Sequence, residues 1–285
     1  MNVFFMGERV PESVDHPVIR PSINAMAETY RLASERPELA SVRTNIGGCQ
    51  TNRFLHVPTH PSELVAKHEM QRELGRRTGT CFQRCVGLDA IGACHSVTFD
   101  IDAKRGTDYH KRFLAFLRRA QVANIVIGGA MTDPKGDRSK APHLQADLDL
   151  FLRVVRRDDR GIYVSGAKMH QTGAVNSHWL IFMPTMRMTE ADRDWCVAGA
   201  VRVDAPGLTY VVGRQTNDTR GVDGGDLDAG NARFAGQEAL IVFEEVFVPY
   251  EHVFMNGEWT YAATLVERFT TYHRSSYVCK TGLGD

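Results

Sequence analysis

The alternation of apolar and polar positions divides the chain into three stretches. In the first, apolar residues recur at helical spacing. INAMAETYRLASE follows Pro21 and Ser22, and Ser22 is predicted to cap that helix. Pro61 and Ser62 open a second helix, ELVAKHEMQRELGRR, which should stop near Gly79. Thr107 is predicted to cap a third, DYHKRFLAFLRRAQ, where Phe113, Phe116 and Leu117 share a face. Beyond residue 125 the pattern changes. LFLRVVRRDDRGIYVSGAK reads as two strands joined by a turn over Asp158, Asp159, Arg160 and Gly161. HWLIFMPTM, GLTYVVGR and ALIVFEEVFVPY are further strands, rich in Val, Ile and aromatics. NDTRGVDGGDLDAGN, crowded with Gly and Asp, is a loop. From Glu258 the spacing is helical again, through TYAATLVERFTTYHRSSYVCK. Helices, strands, then helices predict an α+β protein. The expected division is an α-helical domain over 1–125, a β domain over 126–257, and the start of a second helical domain over 258–285.

Composition narrows the function classes. The 285 residues suffice for two modest domains with real cores. Formal net charge is zero, so neither nucleic acid nor an anionic membrane has an electrostatic footprint. No apolar run approaches the ~20 residues that span a bilayer. The first residues, MNVFFMGERVPESVDHP, lack the basic start and apolar core of a signal peptide, so a cytoplasmic location is expected. The six cysteines are then not needed as disulfides. Cys94 has small neighbours in a helical run and Cys196 lies in WCVAGAVRV; with Cys49, these read as core packing.

Four segments carry candidate chemistry. Cys81 and Cys85 stand four apart in TGTCFQRCVGLDA, which on a helix puts both sulfurs on one face. His273 and Cys279 follow in YHRSSYVCKTG. Three thiols and one imidazole suit an iron–sulfur cluster; the alternative is buried cysteines on a core stripe. MTDPKGDRSKAP sets Thr132, Asp133, Lys135, Asp137 and Arg138 around Pro134 and Gly136. Its backbone N–H groups and cations could meet a cofactor's carbonyls or phosphates, or it is a solvated connector. GAKMHQTGAVNSHW gathers His170, Gln171, Thr172, Asn176, Ser177 and His178 between two strands, either along a flat ring system or at a hydrated hairpin end. Glu238 precedes a strongly apolar strand, where partial burial would raise its pKa for proton transfer; a solvent-facing Glu is the alternative.

DHPVIRPSIN, TGTCFQRCVGLDA, GTDYHKRF, GAMTDPKGDRSKAP, GAKMHQTGAVNSH, GRQTNDTR, GQEALIVFEEVFVP and VERFTTYHRSSYVCK together resemble the 4-hydroxybutyryl-CoA dehydratase/vinylacetyl-CoA Δ-isomerase family. That family lies within the group holding the 4-hydroxyphenylacetate 3-monooxygenase large component, on an acyl-CoA dehydrogenase-like fold. The resemblance implies a homotetramer with FAD and a [4Fe–4S] cluster in each subunit. It assigns the cluster to Cys81, Cys85, His273 and Cys279. It assigns the flavin to Met131, Thr132, Asp133, Pro134, Lys135, Gly136, Asp137 and Arg138, with His170, Gln171 and Thr172. The implied reaction dehydrates 4-hydroxybutyryl-CoA to crotonyl-CoA and shifts the double bond of vinylacetyl-CoA. The β-hydrogen that leaves is not activated by the thioester, so the flavin takes an electron from substrate and returns it. His273 would serve as ligand and then base, with Tyr277, Glu238, Gln83 and Lys280 as further active-site groups. An aromatic monooxygenase of the same fold is the runner-up, and it would not need the cysteines.

Two departures sharpen these expectations. The family motif places its Cys seven residues after its His; here Cys279 follows His273 by six, which turns it by about 100° on a helix. A local bulge restores the phase or cluster binding is impaired. The resemblance also implies a larger C-terminal helical domain, of which only the first helix is expected here. A chain lacking it is expected to be poorly soluble alone, as an inactive fragment or a split subunit.

Overall fold

The computed structural model describes residues 1–213, 233–276 and 278. Helices α1 (Arg20–Glu35), α2 (Pro37–Ala40), α3 (Pro61–Thr78), α4 (Cys85–Arg105) and α5 (Tyr109–Ala123) precede most strands, and α6 (Ala262–Ser276) follows them. The expected loop over 217–231 lies outside the described residues.

The helix ends correct two sequence expectations. Pro21 and Ser22 lie inside the first turn of α1, where Ser22 Oγ donates back to the Ile19 carbonyl. At α5, the cap is supplied from the preceding helix: Asp102 accepts from the N–H groups of Tyr109 and His110, while Thr107 Oγ1 donates to Asp102. The α3 boundaries agree with the pattern. His60 and Glu63 form a reciprocal cap, and Gly79 ends the helix at φ 60°.

The first third also holds strands. β1 (Asn2–Phe5) pairs in parallel with β10 (Leu208–Val212). With β2 (Glu8–Arg9), β6 (Arg153–Arg157), β7 (Gly161–Thr172) and β11 (Glu238–Pro249), these form a six-stranded sheet, ordered β2-β1-β10-β11-β7-β6. A second sheet, β12-β9-β8-β5, joins β5 (Ile127–Ala130), β8 (Trp179–Phe182), β9 (Val197–Arg202) and β12 (Val253–Asn256). A small hairpin, β3 (Ser41–Arg43) and β4 (Gln50–Asn52), completes the described strands. The expected turn at 158–161 does join β6 to β7.

α4 is the structural hub. It packs against α5, α6 and β5, and most of its length is buried. A helix enclosed on all sides is apolar all round, so no one-sided stripe marks it. Its approach to β5 depends on glycine: a Cβ on Gly87 would lie 1.8 Å from the Ile127 carbonyl oxygen. That contact fixes the start of α4 against the second sheet.

Candidate active site

A cavity of about 280 Å³ lies where the start of α4, the ends of β7 and β11, and α6 converge. Cys81 and Gln83 come from the turn before α4, and Cys85 from its first residue. Cys81 is not helical, so the two thiols are not stacked on one helix face as the spacing suggested. They nevertheless line the same cavity, Cys81 exposed and Cys85 buried. Thr172 and Glu238 enter as paired residues at the end of the β7–β11 ladder. His273 and Ser276 enter from α6.

Each side chain has a defined setting. Gln83 adopts φ 66° and is buried. Its Nε2 donates to the carbonyls of Ser22 and Ala235, and its Oε1 accepts from Asn176, so its amide pins the turn that carries the thiols. Glu238 is half exposed, the solvent-facing of the two alternatives. Strand alternation turns it outward: the flanking Gln237 and Ala239 are the buried ones. Glu238 accepts from Thr172 Oγ1 at 3.3 Å, with His170 Nδ1 at 3.7 Å. Tyr277, Cys279 and Lys280 lie outside the described residues.

Beneath the cavity is a polar network that the sequence reading missed. Asp89, one helical turn after Cys85, is fully buried. Its Oδ2 lies 2.8 Å from His273 Nδ1, and Ser276 Oγ contacts both carboxylate oxygens at 3.1 and 3.0 Å. Gln71 Nε2 reaches Cys85 Sγ and Ser276 Oγ, each at 3.4 Å. Burial raises the Asp89 pKa; the His273 hydrogen bond and the Lys67 charge oppose that shift. Burial also lowers the pKa of Lys67, against the nearby Asp89. Phe269 stacks on the His273 ring, with centroids 5.6 Å apart. The available signal was an acid inside the apolar run CVGLDAIGAC.

The 131–138 segment is held differently. Met131 N–H donates to Gln171 Oε1, and Thr132 O accepts from Met169 N–H and Gln171 Nε2. Asp133 forms a buried ion pair with Lys168 at 2.6 Å, and Lys168 Nζ also donates to the carbonyls of Met131 and Met183. Gly136 N–H turns back to Pro134 O, and Asp137 N–H donates to Gln145 Oε1. The N–H groups of Met131, Gly136 and Asp137 are therefore engaged internally. Lys135 and Arg138 are exposed and form no ion pair among the described residues. His170, Gln171 and Thr172 belong to the end of β7, with His170 at φ 57°, while Asn176, Ser177 and His178 lie in the connection to β8.

The sequence profile described as 4-hydroxyphenylacetate 3-hydroxylase N terminal matches residues 1–255. The chain belongs to this family. It is 50% identical over 287 aligned residues to the 4-hydroxybutyryl-CoA dehydratase/vinylacetyl-CoA-Δ-isomerase of Clostridium aminobutyricum, covering 99% of this chain and 59% of that protein. A solved oxygen-tolerant archaeal 4-hydroxybutyryl-CoA dehydratase from N. maritimus superposes with TM-score 0.97 at 61% identity, over 100% of this chain and 57% of that one. The oxygenase component of 4-hydroxyphenylacetate 3-monooxygenase, solved with FAD, shares the fold at TM-score 0.79 and 20% identity, over 99% of this chain and 58% of that one. A glutaryl-coenzyme A dehydrogenase shares it at TM-score 0.54 and 15% identity, over 94% of this chain and 56% of that one. The fold is therefore acyl-CoA dehydrogenase-like, with mixed helix and sheet. The chain spans less than two thirds of these relatives' length.

The residues present are chemically suited to the cofactors the resemblance implied. Two thiols and an imidazole with a carboxylate behind it are iron–sulfur donors. No three His, Cys, Asp or Glu side chains among the described residues are grouped to share one metal ion. A cluster asks for something else, because each protein ligand binds a different iron and so stands farther from its fellows. Gln237, which lines the cavity, has a buried Nε2 with no hydrogen-bond partner among the described residues. No described helix is long and apolar enough to cross a membrane.

Proposed function

We propose that the protein is a flavin- and iron–sulfur-dependent 4-hydroxybutyryl-CoA dehydratase that also isomerises vinylacetyl-CoA. The observation that carries this reading is the single cavity lined by Cys81, Cys85 and His273, in a chain half identical to an enzyme of that name. Cys81, Cys85 and His273 would hold a [4Fe–4S] cluster with Cys279. Met131, Thr132, Asp133, Pro134, Lys135, Gly136, Asp137 and Arg138, with His170, Gln171 and Thr172, would hold FAD. When bound, the flavin supplies reversible electron transfer and the cluster a Lewis-acid iron for the leaving hydroxyl.

The chain's own groups do the rest. His273 accepts the substrate proton at Nε2, since Nδ1 is engaged by Asp89. Glu238, steadied by Thr172, is a second proton acceptor at the cavity edge. Gln83 holds the thiol-bearing turn in place. Gln237 Nε2 donates to a carbonyl of the bound ligand. Tyr277 and Lys280 would serve as further active-site groups. The proposal includes the division at residues 125 and 257, a homotetramer and a cytoplasmic location.

The test is turnover of 4-hydroxybutyryl-CoA by anaerobically purified protein. Crotonyl-CoA should form, and His273→Gln should abolish it. Hydroxylation of 4-hydroxyphenylacetate with supplied reduced flavin, without dehydration, would favour the monooxygenase reading instead.

A further inference from the structure

We propose that Asp89 is a positioning residue that fixes His273 as the Nδ1–H tautomer, so that Nε2 is the nitrogen that serves the cavity. An ionisable group buried in the middle of an apolar helix is costly unless its charge is partnered. Asp89 sits between Leu88 and Ala90 on α4 with no exposed surface. Among the described residues its side-chain hydrogen bonds go to α6, to His273 and Ser276, the two residues by which that helix enters the cavity. Packing α6 on α4 would be served as well by apolar residues; a carboxylate there instead distinguishes the two ring nitrogens. A carboxylate only accepts, so the His273 nitrogen 2.8 Å away carries the proton. The hydroxyl of Ser276 contacts both Asp89 oxygens, sharing Oδ2 with His273. Phe269, stacked on the ring, restricts its rotation. The Nε2 edge then faces away from Asp89.

That Nε2 ligates iron and, once released from it, accepts the substrate proton rests on the function proposed above; the tautomer does not. Nitrogen-15 NMR of histidine-labelled protein separates the two, with His273→Gln identifying the signal and iron measured on the same samples. The unsubstituted protein should show His273 protonated at Nδ1 and not at Nε2. Asp89→Asn, nearly isosteric, should lose that fixed assignment and lower iron affinity about 10–100-fold, and Asp89→Glu should restore part of both. A proton on Nε2 in the unsubstituted protein, or an unchanged Nδ1–H signal in Asp89→Asn, would overturn the inference. Nδ1–H without any iron would support the inference and count against the cluster.

Discussion

The thiol–imidazole wall of the cavity and the 131–138 segment, which does not line it, are stabilised in opposite ways. The thiol–imidazole wall is assembled from chain segments almost two hundred residues apart, and its stability comes from helix packing: α6 is seated on α4, and α4 on β5. The 131–138 segment is nearly local. It is tied by its own turns and by Lys168, whose ammonium collects two carbonyls and the Asp133 carboxylate. The wall is positioned by close contact of whole elements, the segment by one saturated cation. Changes to one should therefore leave the other's ligand bound.

The largest effect is expected at Gly87. Gly87→Ala drives a methyl group into the Ile127 backbone and would displace α4 from β5. We expect a loss of more than about 4 kcal/mol in chemical denaturation, or no folded protein at all. Next is Lys168→Met, which leaves Asp133 buried without its partner and should cost about 3–5 kcal/mol. Among the protein that remains folded, flavin retention should fall while iron content holds. Loss of iron without loss of flavin would break the distinction between the two.

The shortened His273–Cys279 interval gives a subtler test of the thiol wall. One glycine inserted after Val278 should raise iron retention after anaerobic reconstitution; no change would mean that a local bulge already restores the phase. Acidification should weaken the wall and the segment together. Burial holds His56, His95, His110, His178 and His252 below their ordinary value of 6.5. The unfolded chain therefore binds protons first as pH falls below that value, and stability present above it is lost toward the depressed folded values. The melting temperature should fall between pH 7.5 and pH 5.5, a window about one pH unit either side of 6.5. The smallest effect belongs to the surface pair Arg202–Asp204, which touches neither the wall nor the segment. Arg202→Ala should change stability by no more than about 1 kcal/mol.

The sequence made some of this legible and hid the rest for physical reasons. The α3 helix and the β6–β7 turn follow from periodicity and local turn chemistry, and both are where the pattern put them. β1 was invisible because its partner β10 lies two hundred residues away. The cap of α5 was misassigned because the carboxylate that caps it, Asp102, belongs to another helix. Cys81 and Cys85 were legible as a pair, but not as a turn residue and a helix start. Asp89 and Lys168 drew no attention, since a charge inside an apolar run announces burial only once its partner is known. Here the partners are His273 and Asp133, which no spacing rule connects to them.

The most direct test is the visible spectrum and iron content of anaerobically purified protein, compared with Cys85→Ser. Separate flavin and iron–sulfur bands are predicted, with iron approaching about four atoms per chain as the phase at Cys279 is restored, and with the iron–sulfur band lost in Cys85→Ser. Flavin bands alone, with no bound iron in either protein, would contradict the account.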